Sequence, residues 1–289
     1  MRLVWKVTAL LALIAFSAGV GRVWYSVKDG FSIRRIGSAL PSQEMHELCR
    51  ENWLQGPFSY LGRGRQCYAF ESPDGRYVLK IPRFDRYEPP FIWNMPISFF
   101  KKRRSAIGQE RKKRKAFVLN SFEIASNDLK EETGLLYLHI YDTGASLGQT
   151  TLIDKLGRRY AVDLNRIVFA IQEKKRLMMP QFLTALQNGD EKTMDRIFDS
   201  FLAILKRRAE LGIFNKDPSF MRNFAWEEGR GVQIDIGSFY RKDELDEEDA
   251  FSFSMKESCG PIREWLGNLD PALLRRFDHR LEVVCSGSY

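Results

Sequence analysis

Lys80 follows a glycine turn, Leu61-Gly62-Arg63-Gly64, and stands in the apolar string Val78-Leu79-Lys80-Ile81. Far along the chain come Asn215-Lys216-Asp217, then Asn223, then Ile234-Asp235-Ile236-Gly237. Each string means little alone. A glycine turn lets a backbone approach a phosphate, and a lysine can neutralise it. An asparagine and an aspartate offer the oxygen ligands that a hard cation such as magnesium prefers, and a further carboxylate can take the proton of an attacking hydroxyl. In this order they are parts that can hold ATP with magnesium and transfer a phosphoryl group.

The elements that must carry these residues show in the local pattern. Residues 67–71 and 77–81 are runs of β-formers joined by Ser72-Pro73-Asp74-Gly75, whose Pro-Asp-Gly supplies turn geometry, so a hairpin is expected. Period-two alternation sets Val78 and Lys80 on one face and Tyr77, Leu79 and Ile81 on the other. A very basic helix ending near Leu129 precedes expected strands over 135–141, 160–164 and 167–172. The second half opens as helix over 181–186 and 191–211. There Ile197, Phe201, Ile204, Leu205 and Arg208 recur at helical spacing, and Gly212 is placed to end the run. Strand character returns at 223–226 and 232–236 across a turn at 227–231, and a helical region around 271–282 closes the chain.

This order of motifs resembles the protein-kinase-like superfamily over roughly residues 58–240. Leu61-Gly62-Arg63-Gly64-Arg65-Gln66-Cys67-Tyr68-Ala69 looks like its glycine-rich loop, with Cys67 where the third glycine is usual, so Gly62 and Gly64 would line the phosphates. Lys80 looks like the strand lysine that grips the α and β phosphates. The family pairs that lysine with a helical glutamate, for which Glu110 and Glu123 are candidates. Asp217 falls where the family places its base, Asn223 matches the metal-binding asparagine and Asp235 the magnesium aspartate. The cofactors implied are ATP and Mg2+. Over one short stretch, Gly-x-Gly-Arg followed by Cys-Tyr-Ala, the chain is also similar to kinase-like bacterial proteins of the PhoP regulatory network type.

The chain departs from the family where the usual His-Arg is replaced by Asn215-Lys216, and where Asp217 to Asn223 takes six steps instead of five, with Pro218 inside. Only about fifty residues follow Asp235-Ile236-Gly237, without an Ala-Pro-Glu sequence. The resemblance therefore implies an atypical bacterial kinase, or a phosphotransferase acting on a hydroxyl of a small-molecule or lipid-linked substrate, in place of a conventional protein kinase. The alternative is a pseudokinase that keeps the fold for nucleotide sensing or partner binding.

Composition sets the frame. At 289 residues, 44% hydrophobic and 13% aromatic, there is material for a packed core and for two lobes. A net charge of +8 favours anionic partners without choosing among them. Four cysteines with no CxxC pair, and three histidines, indicate neither a disulfide framework nor a zinc site. Val7 to Gly21 is uncharged, and if Lys6 and Arg22 snorkel the apolar segment extends over residues 3–25, with Trp5, Trp24 and Tyr25 suited to the two interfaces. A single-pass anchor is expected, with a cleaved signal peptide ending near Ser17-Ala18-Gly19, and hence secretion, or a buried core helix as the rivals. Four basic residues, Arg22, Lys28, Arg34 and Arg35, follow the segment against Arg2 and Lys6 before it, which places the large domain in the cytoplasm. The densest positive region spans Lys101 to Lys115. A solvated helix face, an anionic membrane surface and nucleic acid are its readings, the last unlikely because no nucleic-acid module surrounds the flanking Phe91, Trp93, Phe99 and Phe100.

The expected architecture is thus α/β (α+β): a two-lobed protein-kinase-like fold with an N-terminal hydrophobic helix. Residues 1–25 are the anchor or signal and 26–55 a linker with a short helix from Ser42. Residues 56–172 form an antiparallel-sheet N-lobe, and 173–289 a mainly helical, short C-lobe.

Overall fold

The computed structural model describes residues 2–33, 36–41, 52–84, 101–142, 147–242 and 247–286. The expected helix from Ser42, the aromatic insert with Phe91, Trp93, Phe99 and Phe100, and acidic residues 243–246 lie outside these. In chain order the elements are α1 (Arg2–Val27), β1 (Phe58–Arg63), β2 (Cys67–Glu71), β3 (Tyr77–Pro82), α2 (Lys101–Asn127), α3 (Lys130–Thr133), β4 (Leu135–His139), β5 (Gln149–Ile153), β6 (Arg159–Asp163) and β7 (Phe169–Glu173). There follow α4 (Met178–Gln187), α5 (Glu191–Glu210), β8 (Ile213–Asn215), α6 (Phe220–Asn223), β9 (Phe224–Glu227), β10 (Arg230–Gln233), β11 (Phe239–Arg241), α7 (Glu247–Leu269) and α8 (Pro271–Ser286). The chain divides into two compact units, Met1–Arg86 with His139–Phe169, and Tyr87–Leu138 with Ala170–Tyr289. α1 belongs with the first unit, and the basic helix α2 with the second.

In the first unit the strands run in the order β3-β2-β1-β5-β6. The hairpin β2–β3 forms as its turn residues predict. Gly75 adopts φ +70°, and Asp74 accepts hydrogen bonds from Ser72 and Arg76 that hold its carboxyl down to about 2. The sheet is mixed, contrary to the wholly antiparallel one expected. β1 pairs parallel with β5, Phe58 opposite Leu152, because β5 returns after a long excursion instead of through a tight turn. Residues 149–153 carried no clear strand signal.

Tyr68, Phe70, Leu79 and Ile81 are fully buried. Phe31 sits among them, its ring 5.2 Å from those of Tyr68 and Phe70 and 5.9 Å from Tyr160. The segment expected as a linker therefore supplies a core residue. It is pinned further along, where Ala39 N–H donates to Arg166 O and Leu40 N–H to Ile140 O.

The N-terminal helix forms, but among the described residues no helix is long and apolar enough to cross a membrane. The anchor expected over residues 3–25 is thus not supported among these residues. Its uncharged run stops at Gly21, and two of the three aromatics suited to an interface, Trp24 and Tyr25, engage cations of the same unit. Arg158 lies 4.8 Å from the Trp24 ring and Arg63 5.5 Å from that of Tyr25.

The second unit is mainly helical. The apolar stripe read on α5 is buried: Ile197, Phe198, Phe201 and Leu205 pack with Phe182 of α4, Met255 and Ile262 of α7, and Leu273 and Phe277 of α8. Gly212, at φ +62°, ends α5 and donates to Ala209 O. α7 went unread, since Gly260 and Pro261 interrupt its sequence; the helix nonetheless runs through Pro261. Arg276 and Arg280 of α8 clasp Asp195 and Asp199 of α5. The hairpin β9–β10 turns through Glu228 and Gly229, both at positive φ, tighter than the five-residue turn expected. β11 pairs with β8, Phe239 opposite Asn215.

Candidate active site

In the first unit, β1 enters the glycine turn through a bulge, its register passing from Tyr60↔Phe70 to Gly62↔Ala69. Gly64, Arg65 and Gln66 then reverse the chain, closed by the Gly64 N–H to Cys67 O bond at 2.8 Å. Neither Gly62 nor Gly64 has positive φ. A Cβ at Gly62 would meet nothing within 4 Å, and at Gly64 only Cys67 O at 3.8 Å. The backbone here is open to close approach by a ligand, which is what a phosphate cradle requires. Lys80 is half-buried opposite Ala69 in the ladder, on the face it shares with Val78, while Leu79 and Ile81 fill the core behind.

The second unit brings together the other residues singled out. α5 and Gly212 deliver β8, whose last residue, Asn215, is buried and turns the chain: its Oδ1 accepts from Asp217 N–H at 2.7 Å. The side-chain amide of Asn223 donates to Asp217 O at 2.7 Å. Asn223 O accepts from Ile234 N–H, one step beyond the Phe224↔Gln233 pair. Asn223 and Asp235 therefore leave the β9–β10 hairpin at the same end, and Asp217 is tied to that end through Asn223. Asp235 is half-buried and accepts from Gly237 N–H at 3.1 Å. The Asp217 carboxylate faces Arg222 at 3.6 Å. With Arg222 largely exposed, this pair contributes at most about 1 kcal/mol and leaves the carboxylate accessible.

The Asn223 and Asp235 side chains offer hard oxygen donors, which fits magnesium completed by phosphate oxygens and water. Among the described residues no cluster of three His, Cys, Asp or Glu side chains forms.

Several residues that shape the site went unrecognised in the sequence. Ser121 of α2, fully buried, donates to Ile236 O and accepts from Phe239 N–H, both at 2.7 Å, and so clips the segment after Asp235. Its signal was a serine on the same helical face as Val118, Phe122 and Ala125. Lys216, in place of the usual arginine, lies 3.8 Å from the Phe117 ring and 5.4 Å from that of Tyr240. Arg208 on the apolar face of α5 is fully buried and bonds Gln233 and Ser258, and burial pulls its pKa down to about 10. Glu110 is exposed and pairs with Arg114 one turn on. Glu123, thirteen residues further along α2, is half-buried and points roughly 140° away around the helix axis.

No family model matches the chain, and no curated relative does either. Among solved structures it is similar to WbdD, at 15% identity and TM-score 0.39, covering 80% of this chain and 46% of that one. It is also similar to a structure described as the bifunctional kinase-methyltransferase WbdD, at 15% identity and TM-score 0.36, covering 77% and 42%. A third is WbdD with the kinase inhibitor LY294002, at 14% identity and TM-score 0.36, covering 78% and 44%. The chain spans under half the length of these structures. The functional reading is carried by the site residues.

Proposed function

We propose that this protein is a magnesium-dependent phosphotransferase that moves the γ-phosphoryl group of ATP to a hydroxyl of a small-molecule or lipid-linked substrate. The observation that carries this is that the Asn223 side chain bonds Asp217 O while Asn223 O bonds Ile234 N–H, next to Asp235, at one end of the β9–β10 hairpin. Gly62, Gly64 and Lys80 serve the phosphates, and Asn223 and Asp235 the metal. The acceptor oxygen bonds to the γ-phosphorus, the bond from that phosphorus to the bridging oxygen breaks, and ADP leaves. The hydroxyl proton passes to the Asp217 carboxylate. Bound magnesium would neutralise the phosphate charge.

A nucleotide-sensing pseudokinase is the second reading. It is favoured by the longer loop with Pro218 and by Arg222 facing Asp217. Titration of the full chain with ATP and magnesium, followed by transfer assays on membrane extracts, separates the two. Asp217→Asn should keep nucleotide binding and lose turnover, Lys80→Met should weaken binding, and Asp235→Ala should remove its magnesium dependence. ATP binding with no transfer in any extract, unaffected by Asp217→Asn in cells, selects the pseudokinase.

The proposal places the protein in the cytoplasm, where ATP is available. It also has the exposed Lys112, Lys113 and Arg114 of α2 drawing in anionic headgroups, at about 1 kcal/mol per basic side chain near the surface. Salt-dependent binding to vesicles containing phosphatidylserine tests the latter.

A further inference from the structure

The main chain of Asp217 is held on both sides by buried side-chain amides. Asn215 Oδ1 accepts from Asp217 N–H at 2.7 Å, and Asn223 Nδ2 donates to Asp217 O at 2.7 Å. Each asparagine is fixed in turn by a different strand pair. Asn215 ends β8 opposite Phe239 of β11, and beside it Lys216 N–H donates to Ser238 O at 3.1 Å. Asn223 O accepts from Ile234 N–H at 2.8 Å, at the end of the β9–β10 hairpin. Asp217 is thus suspended between two two-stranded sheets.

The two bonds fix different peptides. Asp217 N–H belongs to the peptide plane before its Cα and Asp217 O to the plane after it, and each plane is rigid. Holding both sets φ and ψ, and with them the direction of the Cα–Cβ bond. Only χ1 and χ2 are then left to the carboxylate. Pro218 narrows the choice further, because a residue before proline is disfavoured in the helical region.

Asn215 is the half of this clamp with no other duty in the proposed reaction. Its Nδ2 is buried and, among the described residues, has no hydrogen-bond partner. A buried, unmet donor costs stability, so packing alone would favour an apolar side chain of similar size such as leucine. What asparagine supplies there, and leucine would not, is the acceptor for Asp217 N–H.

Resting on the phosphotransferase reading, we propose that Asn215 is a positioning residue, which aims the Asp217 carboxylate at the acceptor hydroxyl by holding the Asp217 N–H. The test uses the full chain with Asn215→Leu, Asn215→Ser and Asn215→Ala. Phosphate release from ATP with magnesium, water being the acceptor, is followed beside amide hydrogen exchange at Asp217 and urea unfolding. Asn215→Leu should lower kcat roughly tenfold and leave KM for ATP unchanged, the pattern of a contact that matters only in the transition state. The Asp217 amide should exchange faster, while the urea midpoint stays at or above the parent's because the unmet donor is gone. Asn215→Ser should recover part of kcat and of the protection, since a serine hydroxyl accepts more weakly from the N–H two residues on.

An unchanged kcat in Asn215→Leu would overturn the inference, and so would unchanged exchange at Asp217. A lower kcat accompanied by a raised KM and a lower urea midpoint would reduce Asn215 to a structural role. If Asn215→Leu fails to fold, Asn215→Ala, which cannot overpack, decides by kcat, KM and exchange. Failure of the parent protein to release phosphate or to transfer it in membrane extracts would instead overturn the phosphotransferase reading, and the role of Asn215 with it, whatever the exchange shows.

Discussion

The side-chain amide of Asn223 donates to the main-chain carbonyl of Asp217 at 2.7 Å. This bond closes the loop that carries Pro218. With Nδ2 committed to a carbonyl, the amide oxygen Oδ1 is the atom of Asn223 left for a cation. One residue thus shapes the loop of the proposed base and offers a metal ligand.

Asn223→Asp should separate those roles. An aspartate keeps oxygen ligands but cannot donate to Asp217 O, so the loop should loosen even as the metal site gains charge. A loss of about 1–3 kcal/mol is expected from the unmet carbonyl and the unpaired buried charge. Urea unfolding and a magnesium titration would check this, and unchanged stability would contradict the assignment.

Ser121→Ala should loosen the segment after Asp235 without touching a ligand. The hydroxyl serves both Ile236 O and Phe239 N–H in a fully buried position, and leaving those groups unmet costs about 1–3 kcal/mol. Faster amide exchange at Phe239 and a lower magnesium affinity are the readouts. Ser121→Thr should retain part of both.

Arg208→Met alone should destabilise the second unit, because Gln233 and Ser258 lose their partner in the core. Adding Gln233→Leu and Ser258→Ala should recover much of the loss, since an apolar cluster avoids burying a cation. The sign with pH follows from the lowered pKa. Folding disfavours the charged form, so this cost is fully present at neutral pH and is relieved as pH rises through about 10. Relative to the triple variant, the parent should therefore gain stability between pH 9 and 11, measured by denaturant unfolding.

Asp195→Asn should make the α5–α8 contact less sensitive to acid. The hydrogen bonds from Arg276 hold the Asp195 carboxyl below its ordinary value of 3.8. Its contribution is present above that value and lost as pH falls through the lower folded one. With both groups partly exposed the contribution is about 1 kcal/mol or less. Thermal melts of parent and variant should differ at pH 6 and converge as the pH is taken below the ordinary value of 3.8 and through the lower folded one.

Local pattern determined the β2–β3 hairpin, the apolar stripe of α5, its stop at Gly212, and the order in which Lys80, Asp217, Asn223 and Asp235 are presented. These are legible because each depends on neighbours a few residues away, through period, turn chemistry or a left-handed glycine. The parallel pairing of β1 with β5, the core place of Phe31, and the roles of Ser121 and Arg208 rest on partners far off in the chain. Ser121 meets Ile236 across 115 residues. A serine or arginine in a helix has the same local pattern whether it faces water or a carbonyl. Only the folded chain, by removing water from these donors and bringing distant acceptors within reach, decides which. The fate of Trp24 and Tyr25 follows the same rule. Their types suit a membrane interface, and it is the arginines gathered by the sheet that claim them.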